Sequence, residues 1–290
     1  MKMCSNDYQA RLLSGRKTGS LSASLLLISL LFGACMLTAC EKEIELDYRQ
    51  VASLYVAEAM LTQQGTTVHL STTQDMTDNN HSSHYVGGAT IVLSSEGLVL
   101  DTLRYAHSGN YTSDVKGVAG CTYDIDIYLD GLHFHSASTM QQEPVMSSFR
   151  FVWKDVITER MLFADLRLQD IPHEANYYFM HIYRNGIGYR WAVMTDDHNP
   201  GQELQQLFSC TTERDMDKGD SDALQDGDRI RVEVRSIDRT SYDYLYSMQV
   251  MDNSGTNPVA NFSGGCLGYF SAYHVVNYST VFRRSDVEEE

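Results

Sequence analysis

Residues 121–135, CTYDIDIYLDGLHFH, indicate the fold more clearly than any other stretch of this 290-residue chain. Four side chains share one face of the run: Tyr123, Ile125, Ile127 and Leu129. Asp124, Asp126 and Tyr128 alternate with them, which is typical of a strand with one buried and one exposed face. Asp130-Gly131 then predicts a tight hairpin turn into a returning strand, because both residue types tolerate positive φ.

Similar short strands precede this hairpin. Alternating or β-rich stretches occur at 67–71, 85–93 and 98–105, with turn residues between them. No helical periodicity interrupts residues 51–143. This spacing predicts an antiparallel β-sandwich of the Ig-like type over residues 51–143.

Pro144 opens a second strand-rich half that extends to residue 282. The patterns predict strands at 161–168, 176–183, 187–194 and 230–234, and Asn185-Gly186 predicts a hairpin turn. Apolar residues at helical spacing predict one helix at about 240–252, capped by Thr240 or Ser241. The fold class is therefore mainly β, with two antiparallel β-sandwich domains at 51–143 and 144–282. We expect residues 283–290 to be a tail that is frayed at 288–290.

The first 39 residues have the pattern of a signal peptide, with basic residues before an uncharged stretch. The run Leu37-Thr38-Ala39-Cys40 resembles a bacterial lipoprotein lipobox, which implies cleavage before Cys40 and acylation of that residue. Residues 40–50 would then form a lipidated tether. An uncleaved transmembrane anchor is the alternative, since residues 21–39 are just long enough to span a bilayer. Serine, glycine and threonine dilute this segment, so we favour the lipoprotein.

The charge balance excludes one class of partner. The leader has four basic residues and one acidic residue, so removing its net +3 from the formal −16 leaves −19 for the mature chain. Such a surface repels nucleic acid and anionic headgroups, and membrane attachment must come from the lipid. Cys121, Cys210 and Cys266 are too few for a disulfide scaffold. A Cys210–Cys266 disulfide and free buried thiols are the alternatives, and we favour free thiols.

The sequence contains no nucleophile elbow, zinc-protease, Walker or paired C-x-x-C motif, so we predict neither an enzyme nor a cofactor. His133 and His135 share a strand face and lack a third metal ligand nearby, which favours two exposed histidines. The densest acidic segment is 213–228. Its weak candidates for a Ca²⁺ site are Asp215, Asp217, Asp220 and Asp222. Their spacing departs from an EF-hand loop, so we favour a solvated loop.

Three short stretches in the first half resemble transthyretin-like or carboxypeptidase-regulatory-like sandwiches. They are VGGATIVL at 86–93, SGNY at 108–111 and GCTY at 120–123. Asp101-Thr102-Leu103 resembles an O-glycosylation sequon of Bacteroidetes envelopes, which makes Thr102 a candidate modification site.

A more specific resemblance lies near the C-terminus. SIDR at 236–239, YDYL at 242–245 and NPVANFSGGCLGYF at 257–270, together with the lipobox, resemble the DUF4249 family of Bacteroidetes lipoproteins. The acidic run at 41–45 also resembles the export signals of surface lipoproteins. The resemblance implies an outer-membrane lipoprotein of unknown molecular activity, on the periplasmic or surface face.

Relatives of this kind are regarded as companions of TonB-dependent outer-membrane transporters. We therefore expect an accessory or interaction protein of an envelope transport complex. The alternative is a surface lipoprotein that binds or hydrolyses glycans.

Overall fold

The computed structural model describes residues 53–74, 84–172, 174–197, 201–254 and 258–290. Within these ranges the chain forms 17 β-strands in four sheets and two α-helices. Residues 51–290 form one compact unit. The prediction of a mainly β protein built from sandwiches is confirmed.

The strands of the first half, in chain order, are β1 (Tyr55–Leu61), β2 (Thr66–Thr72), β3 (Thr90–Ser95), β4 (Leu98–Thr102), β5 (Arg104–His107), β6 (Asn110–Ser113), β7 (Thr122–Leu129) and β8 (Leu132–Thr139). Those of the second half are β9 (Val145–Val156), β10 (Glu159–Gln169), β11 (Tyr177–Arg184), β12 (Ile187–Thr195), β13 (Glu203–Thr212), β14 (Arg229–Ile237), β15 (Leu267–Ala272), β16 (His274–Val281) and β17 (Glu288–Glu289). The helices are α1 (Glu213–Asp217) and α2 (Arg239–Ser254), and a 3-10 helix covers Arg284–Asp286.

The first sandwich packs two sheets face to face. The first sheet has the order β15-β1-β2-β6-β5 and the second sheet has the order β4-β3-β7-β8. Their shared core includes Val68 and Tyr111 from one side and Ile125, Ile127 and Phe134 from the other. The alternation read at 121–129 thus places its apolar face in this core. Asp130 and Gly131 have positive φ of 53° and 78°, as the turn requires.

The second sandwich follows the same plan. The third sheet has the order β13-β10-β9-β17, and the fourth sheet has the order β12-β11-β14-β16. Leu162, Leu166 and Phe208 meet Met180 and Val232 in its core. The predicted strands at 161–168, 176–183, 187–194 and 230–234 are all present.

The C-terminal part of the chain returns to the first sandwich. β15 pairs in parallel with β1, from Val56 opposite Leu267 to Leu61 opposite Ala272. Phe262 and Phe270 lie in the first core. The predicted division into domains at 51–143 and 144–282 does not hold for this segment, because β15 completes the first sheet from the second half of the sequence.

The predicted helix at 240–252 is present as α2, and its predicted cap is wrong. The Ser241 N–H donates to Asp238 Oδ1 at 2.9 Å, so Asp238 caps the helix instead of Thr240 or Ser241. An aspartate directly before the first helical residue reaches the free amides that residues inside the helix cannot. The helix contacts β11, β12 and β15, and Leu245 packs with Phe179.

The C-terminal tail is ordered, so the prediction of a frayed end at 288–290 is wrong. β17 pairs in parallel with β9. The Glu290 carboxylate lies 3.0 Å from Arg150 and 2.6 Å from Lys154, and Glu288 also pairs with Arg150. The terminal glutamates are held because basic side chains on β9 face them.

Candidate functional site

Of the two predicted modification sites, Thr102 lies within the described residues and Cys40 does not. Cys40 lies outside the described residues, so its lipidation stays a prediction. Thr102 is exposed at the end of β4. Its backbone N–H donates to Asp101 Oδ1 at 2.8 Å, which is a local contact of the sequon itself. Thr102 is therefore accessible to a modifying enzyme.

The acidic segment 213–228 begins with α1, which the sequence did not predict. The Thr212 hydroxyl is 2.7 Å from Asp215 Oδ2, and the Asp215 N–H donates to Thr212 Oγ1 at 3.1 Å. This reciprocal pair caps the helix. Asp217 pairs with Arg284 at 2.7 Å. These two carboxylates have protein partners instead of a shared ion.

The other acidic residues of this segment stabilise turns. Asp220 Oδ1 accepts the Asp222 N–H at 3.0 Å. Asp228 accepts Arg184 Nε at 2.7 Å and the Gln225 N–H at 2.8 Å. Burial alone would raise the pKa of Asp228, but these donors hold it below its ordinary value. Asp215, Asp220 and Asp222 line one shallow pocket, but no three acidic side chains of the described residues form a metal-binding group.

A small polar cluster covers the outer face of the second sheet. Asp126 Oδ1 lies 2.6 Å from His133 Nε2 and 3.2 Å from His135 Nδ1. The His133 ring also stacks on Tyr128, with centroids 4.6 Å apart. Among the described residues, no three histidine, cysteine, aspartate or glutamate side chains form a metal-binding group. The two histidines thus lie on the exposed strand face, as expected.

Several exposed apolar side chains lie along one edge of the first sandwich. β4 ends the second sheet and β5 ends the first sheet, and the two strands follow each other in the chain. Leu98 is 70% exposed, Val99 68%, Leu100 42% and Tyr105 52%. We call residues 98–107 the apolar edge. Monomeric proteins rarely leave several large apolar side chains adjacent on their surface, so this edge is a candidate contact surface.

One buried residue, Leu103, marks the point where the apolar edge passes from the second sheet to the first. The sequence pattern predicted a single strand at 98–105, whereas the structure divides it at Leu103. Leu103 is buried in the first core, and its N–H donates to Ile91 O at 2.9 Å. The chain then leaves the second sheet and pairs with β6 in the first. Strands that pass from one sheet to the other form such corners of sandwiches.

Aromatic rings line the outer face of the fourth sheet, but arginines cover them. The Arg231 guanidinium lies 3.8 Å from the centroid of Tyr183. Arg235 lies 4.9 Å from the centroid of Phe179 and 4.6 Å from that of Tyr273. Sugars stack on free aromatic faces, and these faces are already in cation–π contact. These three ring faces are therefore not open to a sugar, although Trp191 on β12 of the same sheet is 38% exposed.

The three thiols of the described residues are free, and the two buried ones are unsuited to nucleophilic chemistry. Cys266 lies in the first core and Cys210 in the second, so the two do not form a disulfide. Burial raises the pKa of Cys210 to about 11 and that of Cys266 to about 12. A thiol must lose its proton to attack a substrate, so both remain unreactive near neutral pH.

A family comparison covers both sandwiches. The family described as a domain of unknown function, DUF4249, matches residues 41–279, well over half of the chain. The chain belongs to the DUF4249 family. No curated protein matches it. The part that matches DUF4249 runs from the segment before β1 into β16.

The glycine-rich run that carries the DUF4249 resemblance has a structural role. A Cβ on Gly264 would lie 2.3 Å from His133 O, and one on Gly268 would lie 2.1 Å from Ala57 O. Asn261 Oδ1 accepts the Phe270 N–H at 2.8 Å. The segment therefore lies against an edge of each sheet of the first sandwich, where only glycine permits the approach. No phosphate-binding function is needed to explain it.

Sequence reasoning missed one group of polar residues in this DUF4249 chain. Asp170, Asn176 and Asp196 are all buried at strand ends of the second sandwich. They are far apart in the sequence and match no metal or catalytic motif. The only available signal was their position directly beside the predicted strands at 161–168, 176–183 and 187–194.

None of the helices in the described ranges is long and apolar enough to cross a membrane.

Proposed function

We propose that this DUF4249 protein is a lipid-anchored accessory protein of a Bacteroidetes-type outer membrane. In this proposal it binds a TonB-dependent transporter or another protein of an envelope transport complex through the apolar edge of a transthyretin-like first sandwich. The observation that carries the proposal is the exposure of Leu98, Val99, Leu100 and Tyr105 along two successive edge strands.

The backbone of the apolar edge supports a specific kind of contact. Among the described strands, β4 pairs with β3 alone and β5 pairs with β6 alone. The outward N–H and C=O groups of such strands can pair with a strand of a partner. Sheet proteins usually protect an edge of this kind with charged residues or proline. Residues 98–100 are Leu-Val-Leu, so a partner strand would also bury apolar surface.

The anchor sets the distance at which such a contact would form. Cys40 and Tyr55, the first residue of β1, are 15 residues apart. A fully extended segment of this length spans about 50 Å. The first sandwich would therefore stay within that distance of the membrane surface, close to the extramembrane parts of a transporter. The formal charge of −19 gives no attraction to anionic headgroups, so the lipid would supply the attachment.

The alternative, a glycan-binding or hydrolytic lipoprotein, has less support. A glycosidase needs two carboxylates that face a sugar in a cleft. The carboxylates of Asp170 and Asp196 are close together but buried. Arg231 covers the ring of Tyr183 and Arg235 that of Phe179, which leaves Trp191 as the exposed ring beside them. The exposed apolar edge therefore favours protein contact over polymer binding.

The test is a substitution in the centre of the apolar edge. We expect Val99→Lys to reduce co-purification with a TonB-dependent transporter by at least about tenfold, because a buried charge without a partner costs several kcal/mol at an interface. Quantitative mass spectrometry after mild crosslinking in the native host measures this. Val118→Lys is the matched control, since Val118 is also exposed but lies outside the edge strands.

Two outcomes would contradict the proposal. One is a transporter that co-purifies equally with Val99→Lys and the control. The other is reproducible turnover of a glycan or peptide by the purified protein that disappears on substitution of one carboxylate, with no partner enriched.

A further inference from the structure

An open cleft lies over one end of the fourth sheet, beside the Asn185-Gly186 turn. Its volume is about 510 Å³, which is within the range of small-molecule sites. Its walls are the first residues of β14 and the last residues of β16, which pair with each other in this region. Arg229 lies directly opposite Val281, and Arg231 lies directly opposite Ser279. We call this cavity the arginine cleft.

The charge of the arginine cleft is opposite to that of the whole molecule. Acidic residues outnumber lysine and arginine by 38 to 22 in the chain. Two arginines and no acidic residue line the cleft, whereas two other cavities in the described part of the chain both include Asp222. Electrostatic complementarity therefore favours an anion at this position.

Arg229 has no counter-charge within the described part of the protein. Its backbone pairs with Asn185, but its guanidinium forms neither an ion pair nor a hydrogen bond with any described residue. Arg184 on the neighbouring strand differs, because its Nε lies 2.7 Å from the Asp228 carboxylate. A guanidinium is a planar fork of N–H donors that matches the oxygens of a carboxylate or phosphate group. The fork of Arg229 is therefore available to an oxyanion from outside the chain.

Arg231 is held in position beside Arg229 by other side chains. Its guanidinium lies 3.8 Å from the centroid of the Tyr183 ring. Its Nη1 donates to Glu233 Oε2 at 2.7 Å and to Asn277 Oδ1 at 2.9 Å. Glu233 also pairs with Arg235, so one carboxylate serves two guanidinium groups and a positive charge remains. Because Arg231 is already ordered, a ligand that binds to it loses little affinity to the ordering of this side chain.

The β16 wall of the cleft supplies a hydroxyl and an apolar contact. Ser279 is exposed, and its hydroxyl has no hydrogen-bond partner among the described residues. Val281 is 45% exposed. Arg283 follows on the same face, because the backbone there stays extended with φ of −139° and ψ of 126°. Arg283 is exposed and pairs with no carboxylate of the described residues, so it adds positive charge beside the cleft.

We propose that the arginine cleft binds an oxyanion, the carboxylate or phosphate group of a small ligand. The oxyanion lies between Arg229 and Arg231 and accepts from the Ser279 hydroxyl, while the apolar part of the ligand lies on Val281. A free anion and the headgroup of an anionic lipid are two sources of this chemistry. The cleft is open and offers few contacts, so we expect a Kd of about 0.1–1 mM. The proposal does not rest on the apolar edge or on any partner protein.

The first test measures binding to the full chain in detergent, in Tris and chloride at low ionic strength. Isothermal titration with inorganic phosphate and with succinate should give one site per chain for each anion. Succinamide, the neutral analogue of succinate, should bind at least about tenfold more weakly, because it cannot form charge-assisted hydrogen bonds. Micelles that contain phosphatidylglycerol identify the source. Displacement of phosphate by phosphatidylglycerol but not by phosphatidylcholine would assign the site to a lipid headgroup, and no displacement would assign it to a free anion.

Arg229→Gln should weaken the binding of both anions at least about tenfold, since the free guanidinium fork is lost. Arg239→Gln is the matched control, because Arg239 is an exposed arginine on α2 and its loss changes the net charge equally. It should leave the Kd within about twofold of wild type. Arg229→Lys keeps the charge but loses the planar fork, so it should still weaken binding at least about threefold.

Ser279→Asp and Ser279→Asn form a second pair of variants at an exposed position, where neither substitution disturbs the core. The aspartate places a negative charge opposite Arg231 and should abolish binding up to about 20 mM anion. The asparagine has nearly the same size without the charge and should stay within about threefold of wild type. This pair tests the cleft without a substitution of Arg231, which would also remove a partner of the buried Glu233.

Four results would overturn the proposal. They are no binding of phosphate or succinate up to about 20 mM, equal losses of binding in Arg229→Gln and Arg239→Gln, unchanged binding in Ser279→Asp, or succinamide that binds as tightly as succinate. A hexaglutamate peptide that binds at least about tenfold more tightly than both small anions would also overturn it, because an acidic protein segment would then be the occupant of the cleft.

Discussion

Glu233 shows how this chain accommodates a charge that is mostly withdrawn from water. It lies on β14 between Arg231 at 2.7 Å and Arg235 at 2.5 Å. Burial alone would raise the pKa of Glu233, but the two guanidinium groups outweigh it and hold the pKa below its ordinary value. Arg235 is in turn held between Phe179 and Tyr273. Glu233 and Arg235 together therefore connect the fourth sheet to Tyr273, which lies between β15 and β16.

Glu233→Gln should lower the free energy of unfolding by about 2 kcal/mol at pH 7, because Arg235 would lose its counter-charge while staying buried. The depressed pKa means that this stabilisation is complete above the ordinary glutamate pKa of about 4.3 and is lost as the pH falls through the lower folded value. Urea unfolding at pH 7 and pH 3 measures it, and the difference between wild type and variant should shrink at pH 3.

Glu143→Gln provides the matched control for that experiment, since Glu143 is exposed. Its free energy of unfolding should stay within about 0.5 kcal/mol of wild type. If both substitutions lowered the free energy of unfolding equally, the stabilising role of the Glu233 ion pairs would be contradicted. A loss from Glu233→Gln that grows at low pH would contradict it as well.

At the scale of elements, the segment from residue 258 to β15 depends on glycines for close contact. Gly265 and Gly268 have similar positive φ values of 87° and 92°. A Cβ on Gly265 would meet nothing within 4 Å, whereas one on Gly268 would lie 2.1 Å from Ala57 O. The two positions therefore separate the conformational role of glycine from its steric role.

We expect Gly265→Ala to destabilise the protein by about 1–2 kcal/mol, which is the cost of a left-handed conformation for an L-residue. Gly268→Ala should cost on the order of 2 kcal/mol more, because the methyl group must displace β15 from β1. Chemical denaturation of both variants tests this. Equal losses of stability would show that the backbone of β1 yields easily and that the contact is loose.

Local patterns in the sequence were sufficient to predict most elements. Alternation identified β7, β10 and β14, since one face of each strand is buried and the other is not, and the Asp130-Gly131 turn identified β8. Asn185-Gly186 marked its turn because both residues adopt positive φ, at 53° and 87°. The division at Leu103 was not predictable, because a continuous β pattern does not reveal a change of sheet. Nor was α1, whose stability comes from the Thr212–Asp215 cap more than from apolar periodicity.

At the scale of the whole molecule, polar contacts tie the two sandwiches together within residues 51–290. The Thr139 N–H at the end of β8 donates to Asp238 Oδ2 at 2.9 Å, and the Ser236 hydroxyl donates to Gln142 O. The Tyr273 hydroxyl contacts Met60 Sδ at 3.3 Å. The linker near Pro144 is thus supported on both sides, in contrast to the exposed linkers that usually separate domains.

We predict that membrane attachment of the whole molecule depends on the lipidated thiol of Cys40. Cys40→Ala should move the protein from the membrane fraction to the soluble fraction or leave an unprocessed precursor, because the −19 surface provides no other attraction. Fractionation and intact mass measure this, with Cys121→Ala as the control. A Cys40→Ala protein that stays in the membrane at its normal mass, or a wild-type mass that includes residues 1–39, would favour the uncleaved anchor.

The long-range strand pairing and the buried polar group of Asp170, Asn176 and Asp196 were beyond prediction from the sequence. Parallel pairing of β1 with β15 leaves no local signal, because no short turn connects the two strands. Asp170, Asn176 and Asp196 likewise come together only after the ends of β10, β11 and β12 are in register. By contrast, the candidate edge at 98–107 was visible as an apolar strand, although its exposure was not.

The position of β15 late in the sequence also delays the completion of the first sheet during synthesis. Val56 pairs with Leu267, so more than 200 residues must be synthesised between the two strands. At about 5–20 residues per second, β1 waits about 10–40 s for its parallel neighbour. The third and fourth sheets cannot be completed earlier, because their strands β17 and β16 are synthesised after β15. Neither sandwich can therefore be complete until the residues of β15, β16 and β17 have been synthesised. Any product truncated before residue 267 would present β1 as an open template for aggregation.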